Sequence, residues 1–122
     1  MSPSDSETMR EAIRTARLRT GIWARALMRG LESRGGSAML IRKGDEDAGA
    51  LLIVLLDRTG RHAVLREAAL GAGWDRIAMD SEEALGAYLD RQKRYDPDLW
   101  ILEFTMDRID DPIERDLPGR TG

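Results

Sequence analysis

The chain has 122 residues, a formal net charge of −3, 34% charged and 42% hydrophobic side chains, the balance of one soluble globular domain able to bury its own core. It contains no cysteine, which excludes disulfides, thiolate nucleophiles and cysteine-ligated zinc. Residues 1–7 have neither a basic nor an apolar region, so no secretory signal is expected, and the longest apolar run, residues 48–56, is far too short to cross a membrane. A cytoplasmic location follows from both.

Residues 1–16 are expected to form a flexible polar arm, with Met9, Ile13 and Ala16 on one side of any short helix there. Thr20 is placed as the N-cap of a first helix running to Arg34. Its apolar residues Ile22, Trp23, Ala26, Leu27 and Leu31 recur at helical spacing, and Gly35-Gly36 stops it. Three strands are predicted next, at 37–42, 48–56 and 61–67. Gly44-Asp45-Glu46-Asp47 turns the first into the second, and Asp57-Arg58-Thr59-Gly60 the second into the third. After Gly71 and Gly73 comes a short fourth strand, near Trp74 to Met79. Asp80 and Glu83 have the spacing of a capping box and open a second helix with Ala84, Leu85, Tyr88 and Leu89 as its stripe. Asp96-Pro97 ends that helix, since the residue before proline is pushed from helical geometry. Leu99 to Met106 is a fifth strand that shows Trp100, Leu102, Phe104 and Met106 on one face.

These elements define an α+β domain over residues 17–106, ordered α-β-β-β-β-α-β. Short connections demand an antiparallel sheet of four to five strands, and the two helices are expected to pack on one face of it. The strand at 48–56 is apolar on both faces, so its outer face needs a cover. A second protomer is the simplest, which makes a homodimer the expected assembly. Residues 107–122, acidic and carrying two prolines, are expected to be a disordered tail.

Chemistry is sparse. The acidic turn Asp45-Glu46-Asp47 fails as an EF-hand loop, because a loop starting at Asp45 puts Gly49 at position 5, Ala50 at 6 and Leu56 at 12. Gly71-Ala72-Gly73 lacks the third glycine and the following helix of a dinucleotide loop, with Arg76 standing where that glycine would fall. His62, the single histidine, has no second histidine or cysteine with which to share a metal. No catalytic, cofactor-binding or metal-binding residue is assigned. A candidate polar site would join Asp45, Asp47, Arg91, Asp96 and Asp98, should the turn and the Asp-Pro-Asp element converge.

Charge is uneven along the chain. Residues 1–43 hold nine basic and four acidic side chains, and residues 44–122 hold ten and eighteen. Arg10, Arg14, Arg17, Arg19, Arg25, Arg29 and Arg34 could align for phosphate contact, with Arg25 and Arg29 the candidate nucleic-acid contacts. The interspersed Glu7, Glu11 and Glu32 and the lack of a nucleic-acid motif put that reading second.

Three sets of residues carry a resemblance: Arg17-Leu18-Arg19-Thr20-Gly21-Ile22-Trp23, then Arg42-Lys43-Gly44-Asp45 with Asp47-Ala48-Gly49-Ala50, then Tyr88-Leu89-Asp90-Arg91-Gln92 with Asp96-Pro97-Asp98-Leu99-Trp100. In combination they resemble a family of uncharacterised alphaproteobacterial proteins, catalogued as domain of unknown function fourteen-ninety-one, over residues 17–106. The resemblance implies a bacterial cytoplasmic protein and no activity, cofactor or catalytic residue. Without a convergent polar set, the expected function is a non-enzymatic protein-binding or regulatory module acting as a homodimer. A nucleic-acid-binding accessory protein is the first alternative, and a small-ligand sensor or enzyme with a carboxylate site the second.

Overall fold

The two most apolar strands of the chain lie side by side at the centre of one five-stranded sheet. In a computed structural model, which describes residues 19–69 and 73–120, helix α1 (Thr20–Glu32) is followed by β1 (Ser37–Arg42), β2 (Leu51–Asp57), β3 (His62–Glu67) and β4 (Trp74–Met79). Helix α2 (Glu82–Tyr95), β5 (Trp100–Met106) and a 3₁₀ turn (Ile113–Arg115) complete the order. The strands are arranged β1-β5-β2-β3-β4. All neighbours are antiparallel except β2 and β5, which run parallel from Leu51 opposite Trp100 to Asp57 opposite Met106. Burial explains this order: every residue of β2 except Leu56 is buried, and only a central position covers a strand on both faces and both edges.

The α+β class and the five strands stand as expected, while the pairing and layering differ. β1 and β2 are not a hairpin, because β5 inserts between them and β1 pairs with β5 instead. The helices do not share a face. Alternation along each strand sends Leu51, Ile53, Leu55, Leu102 and Phe104 toward α1, with Trp23, Ala24, Leu27 and Leu31. It sends Leu52, Val54, Val64 and Ile101 toward α2, with Leu85, Tyr88 and Leu89 packed on them. β2 is therefore covered on both faces by its own chain, and the need that motivated a covering protomer is met internally.

Residues 107–120 are packed rather than disordered. α1 lies against β1 and β5, leaving the same face bare over β3 and β4. Ile109, Ile113 and Leu117, four residues apart, fill that space at 6%, 1% and 8% exposure. Arg76 of β4 fastens the segment, its guanidinium donating to the carbonyl oxygens of Ile109 and Asp111 and pairing with Glu114. A composition rich in Asp, Arg and Pro masks this apolar spacing.

Helix details also shift. Thr20 lies inside α1 with its hydroxyl donating to the Gly49 carbonyl oxygen at 3.1 Å, and Arg19 occupies the cap position without a capping side chain. The buried stripe of α1 comprises Thr20, Gly21, Trp23, Ala24, Leu27 and Leu31, whereas Ile22 is 52% exposed. Ser81, not Asp80, caps α2 by accepting from the Ala84 amide at 3.0 Å. Asp96 closes α2 as expected. The expected arm at 1–16, with Arg10 and Arg14, lies outside the described residues, as do Arg17, Gly71 and Ala72.

Candidate functional site

Because β5 separates β1 from β2, residues 43–50 must cross over the start of β5, and this crossing brings the acidic turn onto the Asp-Pro-Asp element. The Asp45 amide donates to the Asp98 carbonyl oxygen at 3.1 Å, and the Trp100 amide to that of Ala50 at 2.9 Å. The Trp100 indole N–H donates to the Asp45 carbonyl oxygen at 2.6 Å. Arg42 spans the other side of the clasp, donating to the carbonyl oxygens of Leu99 and Pro97. The backbones touch so closely that a Cβ on Gly44 or Gly49 would stand 1.9 or 2.2 Å from the Asp98 carbonyl oxygen. Gly49 also adopts φ +96°, a left-handed conformation that favours glycine.

Four of the five candidate polar residues thus converge, and the geometry shows what two of their carboxylates do. Asp45 Oδ2 accepts from the amides of Asp47 at 3.0 Å and Ala48 at 2.8 Å, the turn-closing role of a short acidic side chain. Asp96 accepts from Asp98 N at 2.9 Å through Oδ1 and from Ala50 N at 2.8 Å through Oδ2. Asp47 forms an exposed ion pair with Arg19 at 3.5 Å, and Asp98 is exposed. Arg91 is exposed on α2 and, among the described residues, makes no hydrogen bond or ion pair with the clasp. No group of three or more metal-ligating side chains occurs among the described residues.

The clasp also anchors α1. Gly21 N donates to the Glu46 carbonyl oxygen at 2.9 Å, and Arg25 grips both Glu46 carboxylate oxygens at 3.2 and 2.8 Å. The hydrogen bond from Arg25 holds the Glu46 carboxyl below its ordinary range, and the same bond raises Arg25. Arg25, a candidate phosphate contact, is therefore engaged by an acid of its own chain, whereas Arg29 lies exposed on the same helix.

Two features carried no expectation. Asp57, 6% exposed at the end of β2, accepts from Thr59 N, Thr59 Oγ1 and Arg61 N through Oδ1 and from Ile109 N through Oδ2. The Thr59 hydroxyl bond, with the three backbone N–H groups, outweighs burial and lowers its pKa to about 2. Trp23 stacks on Trp74 with ring centroids 5.2 Å apart. Arg120 lies 4.8 Å over the Trp23 ring and pairs with Glu67 at 3.3 Å, pinning the end of the C-terminal segment.

Two surface clefts indent the domain. One of about 830 Å³, between Arg34 and Pro112 over Phe104 and Met106, has neither a nucleophile nor a base among its lining residues beyond its aspartates. In the other, about 760 Å³, His62 and Ser81 both line the wall, but the Ser81 hydroxyl oxygen is the α2 cap.

The most exposed apolar feature on the sheet is an edge. β1 ends the sheet, and Met39, Leu40 and Ile41 along it are 56%, 41% and 48% exposed. Its ladder with β5 is regular from Ser37 to Leu40 and then bulges, with Ile41 the extra residue before Arg42.

Fold and site together define a small α+β domain, built on a mixed sheet whose β1 edge is open and apolar among the described residues, and on a clasped crossover loop. The chain belongs to the family described as "Protein of unknown function (DUF1491)", which matches residues 18–114. It is similar to a DUF1491 family protein from Caulobacter crescentus CB15 in a crystal structure, at 39% identity over 74% of this chain and 88% of that one, TM-score 0.65. The solution structure of protein Atu0922 from A. tumefaciens is similar at 30% identity over 76% and 89%, TM-score 0.69. An NMR structure of a Caulobacter crescentus CB15 DUF1491 family protein is similar at 40% over 76% and 88%, TM-score 0.61. No curated protein matches. The family's match extends past residue 106 to include the start of the C-terminal segment.

Proposed function

We propose that this protein is a non-enzymatic, cytoplasmic binding module that engages a protein strand along the free edge of β1. The observation that carries the reading is the run Met39-Leu40-Ile41, exposed on an edge strand. Edge strands are ordinarily blunted by proline, lysine, inward-pointing charge, a bulge or a covering element; β1 bulges at Ile41 and ends in Arg42, but its regular stretch Ser37–Leu40 carries no charge and no proline. An added strand draws affinity from main-chain hydrogen bonds and specificity from alternate side chains. Asp45 and Asp96 of the clasp bind backbone amides and Asp47 and Glu46 pair with arginines, which weakens the case for a carboxylate enzyme or sensor. Arg19, Arg25 and Arg34 pair with Asp47, Glu46 and Asp116, which weakens the case for a phosphate-binding face. No helix among the described residues is long and apolar enough to cross a membrane.

The test places a photo-crosslinking side chain at Met39 in the full protein, in its native cells, with Tyr95, 81% exposed on α2, as the control site. A protein adduct specific to position 39 is expected. Equal labelling from both positions, or a cross-link from 39 only to residues 1–18 of the same chain, overturns the reading.

A further inference from the structure

We propose that Trp23, Glu67 and the Gly49 carbonyl oxygen form a guanidinium receptor, which Arg120 fills as an intramolecular ligand and in which a guanidinium-bearing ligand from solution exchanges with it. This goes beyond the reading of the β1 edge and does not rest on it.

Three elements build the receptor: Trp23 comes from α1, Gly49 from the crossover loop and Glu67 from the end of β3. The Glu67 carboxylate, 18% exposed, is aimed by the Leu51 amide, which donates to its Oε2 at 3.0 Å. The Thr20 hydroxyl donates to the Gly49 carbonyl oxygen at 3.1 Å, and Trp23 is fixed by its stack on Trp74. Onto this frame Arg120 lays a guanidinium that is 8% exposed. Its centre stands 4.8 Å over the Trp23 ring. Its Nε lies 3.3 Å from Glu67 Oε1, and its Nη2 donates to Glu67 Oε2 at 3.3 Å and to the Gly49 carbonyl oxygen at 2.9 Å. A flat cation with its face on an aromatic ring and its edge on two carboxylate oxygens uses what arginine has and lysine lacks.

Two observations favour exchange. Trp23, Gly49 and Glu67 all lie within residues 18–114, the stretch matched by the family, whereas Arg120 lies outside it. The receptor thus belongs to the family's domain and its present occupant to a stretch past it. That stretch is also lightly held beyond Leu117: Pro118 is exposed, and its carbonyl oxygen accepts from the Trp74 indole at 3.3 Å. An empty receptor would leave a mostly buried carboxylate without its counter-ion, which is costly. Arg120 therefore leaves as another guanidinium enters, and the same cost excludes a neutral or anionic ligand.

The experiment follows the Nε–Hε resonance of Arg120 by NMR in the full wild-type chain as Nα-acetyl-arginine amide is added, with Nα-acetyl-lysine amide at equal concentration as the control. The arginine compound is expected to move that resonance to the position of a solvent-exposed arginine, and the lysine compound to leave it in place. A blocked peptide with the sequence of residues 116–120, Asp-Leu-Pro-Gly-Arg, distinguishes the sources. Displacement by amide and peptide alike supports a site that any guanidinium can fill, and displacement by the peptide alone supports a protein arginine as the ligand. A second arm uses Arg120→Lys, which keeps a cation but lacks the planar fork. Its thermal midpoint should rise by about 5 °C in the arginine compound at ten times the dissociation constant, and should not respond to the lysine compound. An Arg120 resonance moved by neither amide nor peptide overturns the exchange. Equal displacement by the arginine and lysine compounds overturns the receptor as one for guanidinium.

Discussion

The two edges of the sheet are built on opposite plans. β4 carries Asp75 and Arg76 in its middle, and Arg76 ties the C-terminal segment along it through two carbonyl oxygens and Glu114. Trp74 of the same strand stacks on Trp23 and donates to the Pro118 carbonyl oxygen at 3.3 Å. β1 exposes three large apolar side chains in a row. Among the described residues β4 carries charge at two successive positions and a packed segment beside it, whereas the guards of β1 are confined to its end, in the bulge at Ile41 and the charge of Arg42. The contrast is one of packing: the chain lays residues 107–120 over the face of β3 and β4, while the described residues leave Met39, Leu40 and Ile41 of β1 exposed.

The comparison yields four expectations, the largest effects on the guarded side. Trp23→Ala removes a ring 1% exposed that joins α1, Trp74 and Arg120, and should cost about 3–5 kcal/mol in chemical denaturation. A loss below about 1 kcal/mol would mean that the stack is not a keystone of the covered edge. Arg76→Met should cost about 2 kcal/mol by leaving carbonyl oxygens and Glu114 without their donor, and should make cleavage within 107–120 the first event in limited proteolysis. Equal proteolysis of both proteins would show that the segment is held by Ile109, Ile113 and Leu117 alone.

Asp57 gives the guarded side a pH dependence. Its carboxyl titrates at about 2 in the fold against an ordinary 3.8, so the charged form is the one stabilised. That stability is complete above the ordinary value and is lost as pH falls from about 3.8 through about 2. Urea midpoints measured from pH 5 down to pH 2 should fall less steeply for Asp57→Asn than for wild type, and parallel curves would remove Asp57 as the cause. The smallest effect belongs to the open edge. Ile41→Lys, at a position 48% exposed, should shift the stability of the isolated monomer by no more than about 0.5 kcal/mol. A larger loss would mean that β1 contributes to the fold more than its exposure suggests.

Much of the fold was legible because it is local. Alternation in Trp100-Ile101-Leu102-Glu103-Phe104 and the turn at Asp57-Arg58-Thr59-Gly60 placed β5 and the β2–β3 hairpin, and the break at Asp96-Pro97 ended α2. The α1 stripe was off by a rotation, with Ile22 and Ala26 outside and Thr20 and Ala24 inside. A helix with apolar residues on several sides has no unique face until its neighbours choose one. The clasp was half legible: the two acidic elements were conspicuous, but their meeting depends on β5 entering between β1 and β2. The role of Asp57 was partly written in Thr59, two residues on, whereas its bond to Ile109 spans 52 positions.

By itself, then, the sequence determined where helices and strands form and the α+β class, since periodicity, turn residues and capping act over a few residues. Only the tertiary structure decided strand order, the division of the helices between two faces, the docking of the C-terminal segment and which edge the described residues leave open. Those outcomes depend on which apolar faces compete most effectively for the same buried space, and that competition is settled among residues far apart in the chain.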